Sequence, residues 1–534
     1  MSNRRLPNRF KALFKYTSVL IFFLIATGEF IGAANYEVGP QKPYLSIGSV
    51  PWEGLHPGDS VRIFYRDSSY KEKWVICTKG TQDDPVVVSG IPDGQGRLPV
   101  IDGNEAVTDS KFNFWNEERG LIKIGGANSP KDTMPEYIIL QNLEIKSARQ
   151  GYTFTGRYGI TNYFKNAAAI FIEKGEHITI RNCVFHDCGN GLFAASLSKD
   201  VVVEGCYYYD NGVENSIYEH NNYTESQGIT FQFNRFGPLR ADCPGNNLKD
   251  RSKGCVIRYN WIEGANRQLD LVHSEYPDYY TDTLYKKTFV YGNILIEPDN
   301  AGNSQICHYG GDNDDSSHCY RKGTLYFYHN TVISTRSGNT TLVRLSTNDE
   351  KADIRNNIIY VTAPGPRLGI VDSDGTAILR HNWLKTGWQK SHSNPSAVVI
   401  DSGGTVVEDL PGFTDFVTQD FSLLQTSHCI SGGTLLPEPC YQNLVEKEYV
   451  KHQKSRERRP DAIPDIGAFE YAITALKYKE YVSKTYPHKV WASPNPFYGS
   501  TCISFSPLKG VEEYELKIYG NCGRLIYSRT IKTA

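Results

Sequence analysis

The chain has 534 residues, more than one ordinary compact core supports, so several domains or an elongated repeat are expected. Charged residues make up 22% and the formal net charge is −2, a balance that gives no footing for nucleic-acid binding. Tyrosine (35) and glycine (47) are abundant and methionine (2) is nearly absent, which favours sheets and turns over helices.

At the N-terminus, Arg4, Arg5, Arg9, Lys11 and Lys15 precede an apolar run from Val19 to Ala26, and small residues follow at Gly32, Ala33 and Ala34. This is the three-part pattern of a secretory signal peptide over residues 1–34, cleaved after Ala33 or Ala34. As a membrane anchor the apolar core is short, and Glu29 interrupts it. The pattern predicts a secreted or cell-surface protein of bacterial-type export, with no stable membrane span after cleavage. Export permits disulfides among the twelve cysteines, and no CxxC pair points to a metal. Cys307 with Cys319, and Cys429 with Cys440, each bracket a polar loop that a disulfide could close. Cys183 and Cys206 occupy equivalent places in successive repeats and could stack as small apolar residues.

From residue 179 onward a short pattern recurs: "TIRNCVF", "VVEGCYY", "FQFNRFG", "IRYNWIE", "VYGNILI", "FYHNTVI", "IRNNIIY" and "LRHNWLK". Its anchors are Asn182, Gly205, Asn234, Asn260, Asn293, Asn330, Asn357 and Asn382, spaced by 23 to 37 residues. Such a period signals a solenoid whose units bury a core only by stacking. Each unit holds short strands between polar turns, so a right-handed parallel β-helix is predicted, an all-β fold; the irregular spacing disfavours a propeller. An asparagine at a tight bend can bond to its counterpart one coil away and tolerates left-handed backbone. Two residues before each anchor, alternation turns a side chain outward, giving the column Ile180, Val203, Gln232, Arg258, Tyr291, Tyr328, Arg355, Arg380.

The stretch from Gly245 to Glu275 collects Lys249, Arg251, Arg258, Arg267, Asp270, His273 and Glu275 among strand-like apolar pairs. Asn247, Lys249 and Arg251 alternate and would share one face. Glu219, His220 and Glu225 come from the preceding coil, and His308 and Asp312 from the following one. Convergence from successive coils is what a groove on a solenoid requires.

These segments resemble the right-handed parallel β-helix superfamily that includes pectate lyases, alginate lyases and chondroitinase B. "VPWEGLHPGDSVRIFYR" is similar to the opening of the alginate lyase and chondroitinase B branch, and "PVVVSGIPDGQGRLPVIDG" to its first coils. "NNLKDRS", one coil before "VIRYN", resembles that branch's lysine-then-arginine arrangement, and "RPDAIPDIGAFEY" resembles a common end of such domains. The resemblance spans roughly residues 40–471. It implies a polysaccharide lyase that cleaves an anionic, uronate-containing polymer by β-elimination. The expected catalytic groups are Lys249, Arg251 and Arg258, with Lys249 as a base whose pKa the two arginines lower. Substrate contacts are expected from His220, Arg267, Asp270, His273, Tyr291 and His308. No metal ligand set is assigned; calcium remains open as a cofactor, because some lyases use it and the acidic run "GGDNDDSS" around Asp312, Asp314 and Asp315 could bind one. A glycoside hydrolase using paired carboxylates, Asp270 with Glu275 or Glu219 with Glu225, is one alternative. A non-catalytic glycan-binding or adhesin β-helix is the other.

The expected organisation is a cap with first coils (35–120), the β-helix (121–471), a linker (472–490) and a C-terminal module (491–534), in a monomer. "PNPF…T.I.F" followed by "L.IY…GR.I" resembles the immunoglobulin-like sorting module at the ends of secreted bacterial proteins, here incomplete, with Cys502 and Cys522 able to pair.

Overall fold

The structure is a computed structural model describing residues 32–394, 396–459 and 462–471, together with the strands Val490–Ser493, Cys502–Phe505, Glu513–Tyr519 and Leu525–Lys532. The expected signal segment up to residue 31, most of the expected linker and the side chains of the expected C-terminal module lie outside the described residues. So does the Cys502–Cys522 pairing. The last four strands form two antiparallel pairs, Val490–Ser493 with Cys502–Phe505 and Glu513–Tyr519 with Leu525–Lys532.

The chain folds as an all-β parallel β-helix. Stacking begins at Asn35–Val38, which pairs in parallel with Ser60–Phe64, and runs to Val406–Glu408, which pairs in parallel with Trp383–Lys385. In the central coils each turn of the solenoid contributes three strands. Leu248–Asp250, Lys253–Arg258 and Trp261–Glu263 form one such coil, and each pairs in parallel with its counterpart in the next. Interior positions carry stacked Val, Ile, Leu and Phe, such as Phe231, Ile257, Val290, Phe327, Ile354 and Leu379, all fully buried. Both neighbours of every central strand are β-paired, so the backbone groups are satisfied along the solenoid axis. Residues 409–459 and 462–471 leave the stack and fold against its outside: Phe421 and Tyr449 pack on Trp261, and Tyr328 Oη donates to Asn443 O at 2.6 Å.

The asparagine column forms a continuous buried ladder. The Nδ2 groups of Asn234, Asn260, Asn293, Asn330 and Asn357 donate to Oδ1 of the next asparagine, ending at Asn382, at 3.0 to 3.1 Å. The same Oδ1 atoms accept the backbone N–H of the preceding rung, for example Asn260 N to Asn293 Oδ1 at 2.9 Å. The left-handed residue is not the ladder asparagine but the one before it: Phe233, Tyr259, Gly292, His329, Asn356 and His381 all have φ between 50° and 65°.

That distinction corrects the phase of the first two repeats. Asn182 and Gly205 hold the left-handed position (φ 51° and 64°), so the ladder counterparts in those coils are Cys183 and Cys206, both buried, with Cys206 N donating to Asn234 Oδ1 at 2.9 Å. A slip of one residue exchanges the two faces of a strand. Ile180 and Val203, expected outward, therefore sit in the core. The outer column reads Arg181, Glu204, Gln232, Arg258, Tyr291, each in register with the next. The expected loop-closing disulfides are also absent among the described residues: Cys307, Cys319, Cys429 and Cys440 are free thiols. Cys429 packs beside Ile358 and Trp383, whereas Cys440 packs beside Tyr259, Tyr291 and Tyr328.

Candidate functional site

The strand Leu248–Asp250 places Leu248 and Asp250 inward and Lys249 outward, and the same alternation holds one coil to either side. Tyr223, Lys249, Asp270 and His308 are consecutive positions of one outward column, each in register with the next. Arg251 and Glu225 follow two residues after Lys249 and Tyr223. Of the residues the sequence singled out, the structure places Lys249, Arg251, His220, Asp270, His273 and His308 on or beside this column.

Lys249 is 7% exposed, and its Nζ lies 2.7 Å from Asp270 Oδ2 and 2.6 Å from Asp312 Oδ2. Burial alone would lower its pKa, but the two carboxylates outweigh burial and hold it above the ordinary lysine value. The expectation of Lys249 as a low-pKa base is overturned: at neutral pH it is a cation. Arg251 Nη2 donates to both Asp312 oxygens at 3.1 Å, its Nε donates to Tyr223 Oη at 3.0 Å, and Nη1 donates to His273 O. Asp312 is held far below the usual carboxylate range by His273, Lys249 and Arg251 against the cost of burial. Asp270 is likewise depressed: burial opposes its charge, yet Lys249 and His308 prevail. Asp270 also accepts Asn246 Nδ2 at 2.8 Å and pairs with His308 Nδ1 at 2.9 Å.

His220 accepts Asn246 N at 2.9 Å through Nδ1, and burial together with the charge of Lys249 lowers its pKa to about 3, so its ring is neutral. His308 is lowered too, by burial, and its Nε2 meets Ser346 Oγ at 3.0 Å. His273 is buried, with Nδ1 3.3 Å from the Asp312 carboxylate, and its Nε2 has no hydrogen-bond partner among the described residues. Glu225, mostly shielded beside Arg251, has its pKa raised by burial. Arg267 lies at the flank, donating to Gln305 Oε1 at 2.7 Å, and Gln305 in turn reaches Asp372 at 2.8 Å.

Two expected site residues stand elsewhere. A corner separates the strand of Lys249 from that of Arg258, built by Ser226 N donating to Ser252 Oγ at 2.6 Å and Ser252 N to Asp250 Oδ2 at 3.0 Å. Beyond it, Arg258 Nε donates to Gln232 at 2.9 Å and Nη1 to Tyr291 Oη at 3.1 Å. Tyr291 is fully buried, stacked on Tyr328 with ring centroids 4.9 Å apart. Tyr259, beside them, accepts through its Oη from Glu446 N at 2.9 Å, so the chain beyond the stack packs along this strip. Arg258 and Tyr291 thus form part of a bracing ladder, and among the described residues neither makes a hydrogen bond or ion pair with the Lys249 wall. Asn247, expected to share the face of Lys249, is buried in a second amide ladder, accepting Asn221 Nδ2 at 2.5 Å.

Sequence reading missed Tyr223, although it is in register with Lys249 and its ring centroid lies 5.9 Å from Lys249 Nζ, and missed Arg321. The latter is wholly buried and donates to Val272 O, Ser252 O and Asp250 O at 3.0 to 3.2 Å, fixing from behind the corner that carries Lys249 and Arg251. Nothing in the local sequence marks that role, seventy residues along the chain. Asp312 arrives through Gly310–Gly311. A Cβ at Gly311 would stand 2.1 Å from the Tyr320 ring, so only glycine allows this approach. The acidic run does not suit calcium: Asp312 is committed to cations, Asp314 accepts from Tyr320 Oη, and among the described residues no group of three His, Cys, Asp or Glu is arranged around a metal position.

Residues 100–281 match the family model of a right handed beta helix region. No curated protein matches the chain. Among solved structures the chain is similar to an alginate lyase from Paenibacillus sp. str. FPU-7, at 10% identity, with 64% of this chain and 97% of that chain covered and a TM-score of 0.41. It is similar to pectate lyase Pel9A at 14% identity, covering 83% of this chain and 97% of that one, TM-score 0.43. A GH136 lacto-N-biosidase from Eubacterium ramulus aligns at 13% identity over 71% of this chain and 68% of that one, TM-score 0.45.

Proposed function

We propose that this chain is a carbohydrate-active protein that cleaves a uronate-containing polysaccharide by β-elimination. One observation supports it above the others: Lys249 and Arg251 together hold a carboxylate, that of Asp312, at 2.6 and 3.1 Å. A uronate carboxylate has the same charge and fork geometry, and on displacing Asp312 it would meet two fixed cations in a largely desolvated wall. β-Elimination builds negative charge on that carboxylate as the adjacent C5 proton leaves, so cations already aimed there stabilise the transition state more than the ground state.

In this reading Lys249 and Arg251 neutralise the carboxylate, and Tyr223, reacting as its phenolate with Oη accepting from Arg251 Nε at 3.0 Å, receives the C5 proton and becomes the neutral phenol. The C–H electron pair becomes the C4–C5 double bond, the C4–O bond breaks, and the departing glycosidic oxygen takes a proton from Tyr223. The neutral ring of His220 packs edge-on to Tyr223, with centroids 5.3 Å apart, and fixes its orientation. The N-terminal pattern supports export of such an enzyme to its polymer, and among the described residues no helix is long and apolar enough to cross a membrane.

Glu225 favours a second reading. Its carboxyl is raised while that of Asp312 is depressed, the divergence that a glycoside hydrolase needs for its acid and its ionised partner. One experiment separates the readings: incubation with pectate, alginate and glycosaminoglycan panels, following ultraviolet absorbance of unsaturated uronyl ends and new reducing ends in parallel. Both signals rising together support elimination. Reducing ends without absorbance support hydrolysis, and polymer binding with neither signal supports a non-catalytic glycan-binding or adhesin role.

A further inference from the structure

The outward column that carries Lys249 continues toward the N-terminal coils, where it turns aromatic. Tyr223 is in register with Phe193, and Phe193 with Phe171, with ring centroids 5.1 and 5.4 Å apart. Over the two phenylalanines lies the guanidinium of Arg119, its Cζ 4.6 Å from the Phe193 centroid and 5.1 Å from that of Phe171. Arg119 is half-buried, and among the described residues its side chain makes no hydrogen bond or ion pair. Glu173, a neighbouring carboxylate, is already taken by Lys123 at 2.5 Å and by Asn116 Nδ2 at 3.1 Å. A cation resting on aromatic faces is stabilised there while its edge N–H groups stay available, and a guanidinium edge matches a carboxylate fork. Partial burial without an acceptor leaves donors that an incoming anion would satisfy.

We infer that Arg119, with Phe171 and Phe193, forms a second anion-binding subsite for the same polysaccharide, which lies along the solenoid axis and carries carboxylates on more than one sugar. This inference rests on the uronate reading of the Lys249–Arg251 wall. Coils advance by about 4.8 Å, a step close to the length of one sugar unit, and Phe193 stands two coils from Lys249. A ligand held at both points is therefore an oligomer of several units: a disaccharide on the cation pair does not reach Arg119, and a pentasaccharide does. The ligand class narrows from any uronate-bearing glycan to a polyuronate with closely repeated charge. A polymer with one isolated uronate would leave Arg119 without a partner.

The test is calorimetric titration in a Tyr223→Phe background, which keeps the ring and removes the proposed proton carrier so that the ligand survives. Dimers and pentamers of galacturonate, mannuronate and guluronate are compared with neutral xylopentaose, with ligand integrity checked afterwards. The expected result is that Arg119→Gln weakens binding of the preferred pentamer by about tenfold or more. Its dimer affinity and its melting temperature stay unchanged, and Arg119→Lys retains part of the pentamer affinity. Unchanged pentamer affinity in Arg119→Gln, or equal losses for dimer and pentamer, overturns the second subsite while the uronate reading stands. Equal binding of xylopentaose, with an equal loss in Arg119→Gln, also overturns it, because the subsite then recognises rings and not charge. If no uronate of any length binds the protein with Arg119 intact, both the subsite and the reading beneath it fall.

Discussion

Replacing Lys249 by methionine removes an ammonium and keeps most of its stem, and the structure sets the size of the effect. The ammonium meets two carboxylates with different prospects. Asp312 has about a quarter of its side chain exposed and keeps Arg251 and His273, so its loss is of surface-pair size, below about 1 kcal/mol. Asp270 has 3% of its side chain exposed and keeps only the Asn246 amide and His308. An uncompensated buried charge costs about 3–5 kcal/mol, and two remaining hydrogen bonds place Lys249→Met near the lower end, about 3 kcal/mol in all. Urea unfolding followed by tryptophan fluorescence measures this, with Lys249→Arg as the charge-retaining control. The sign of the pH dependence follows from the shifts. Asp270 and Asp312 are depressed, so their contribution is present above the ordinary carboxylate value near 4 and is lost as pH falls through their folded values. Lys249 is raised, so its contribution holds below the ordinary lysine value of about 10.4 and is lost only above it. In the variant, Asp270 lacks its main counter-charge and takes a proton more readily, so the penalty at pH 8 should shrink by pH 5. A penalty below about 0.5 kcal/mol that does not change with pH would refute the argument, because it would mean that Asp270 does not depend on Lys249.

Asn293→Ala removes an oxygen that accepts from Asn260 N and Nδ2, and a donor to Ile257 O, Tyr291 O and Asn330. With buried donors stranded at about 1–3 kcal/mol each, the variant should lose at least about 3 kcal/mol by urea unfolding; a loss under about 1 would show that the ladder does not brace the coils. Arg258→Ala should lower stability yet leave polyuronate affinity unchanged, since Arg258 bonds Gln232 and Tyr291 outside the wall; weakened binding at full stability would return it to the site. The His220 ring should show no titration by NMR between about pH 4.5 and 8, because its pKa is lowered to about 3. The unfolded ring takes a proton near 6.5, so this residue makes stability fall as pH drops below about 6.5, and a ring midpoint near 6 would contradict its burial beside Lys249.

Sequence by itself determined the solenoid and, from Asn234 onward, its phase. A ladder asparagine with an apolar residue three positions earlier is a local signal, and strand alternation carries it to the faces without further information. It also brought Lys249, Asp270 and His308 to one column, because each lies at an equivalent place in adjoining coils, with Arg251, His220 and His273 within three residues of that column along the chain. The phase of the first two coils was not legible: Asn182 and Gly205 satisfy the left-handed position as well as a ladder asparagine would satisfy its own, and only pairing with Gln232 reveals the slip. Nor was the corner at Ser252 legible, where a serine bonded across coils turns the chain and carries Arg258 to another face. The protonation of Lys249 was decided by tertiary structure alone. Its charge state follows from Asp270 and Asp312, the latter 63 residues away on a loop that enters only because Gly311 lets it pass Tyr320. Periodicity fixes which way a side chain points, but a pKa depends on what other segments bring within a few ångströms. For the same reason Arg321 and Arg119 escaped notice: the one acts from behind the sheet and the other lies across it, each on a segment whose own pattern says nothing of the wall it serves.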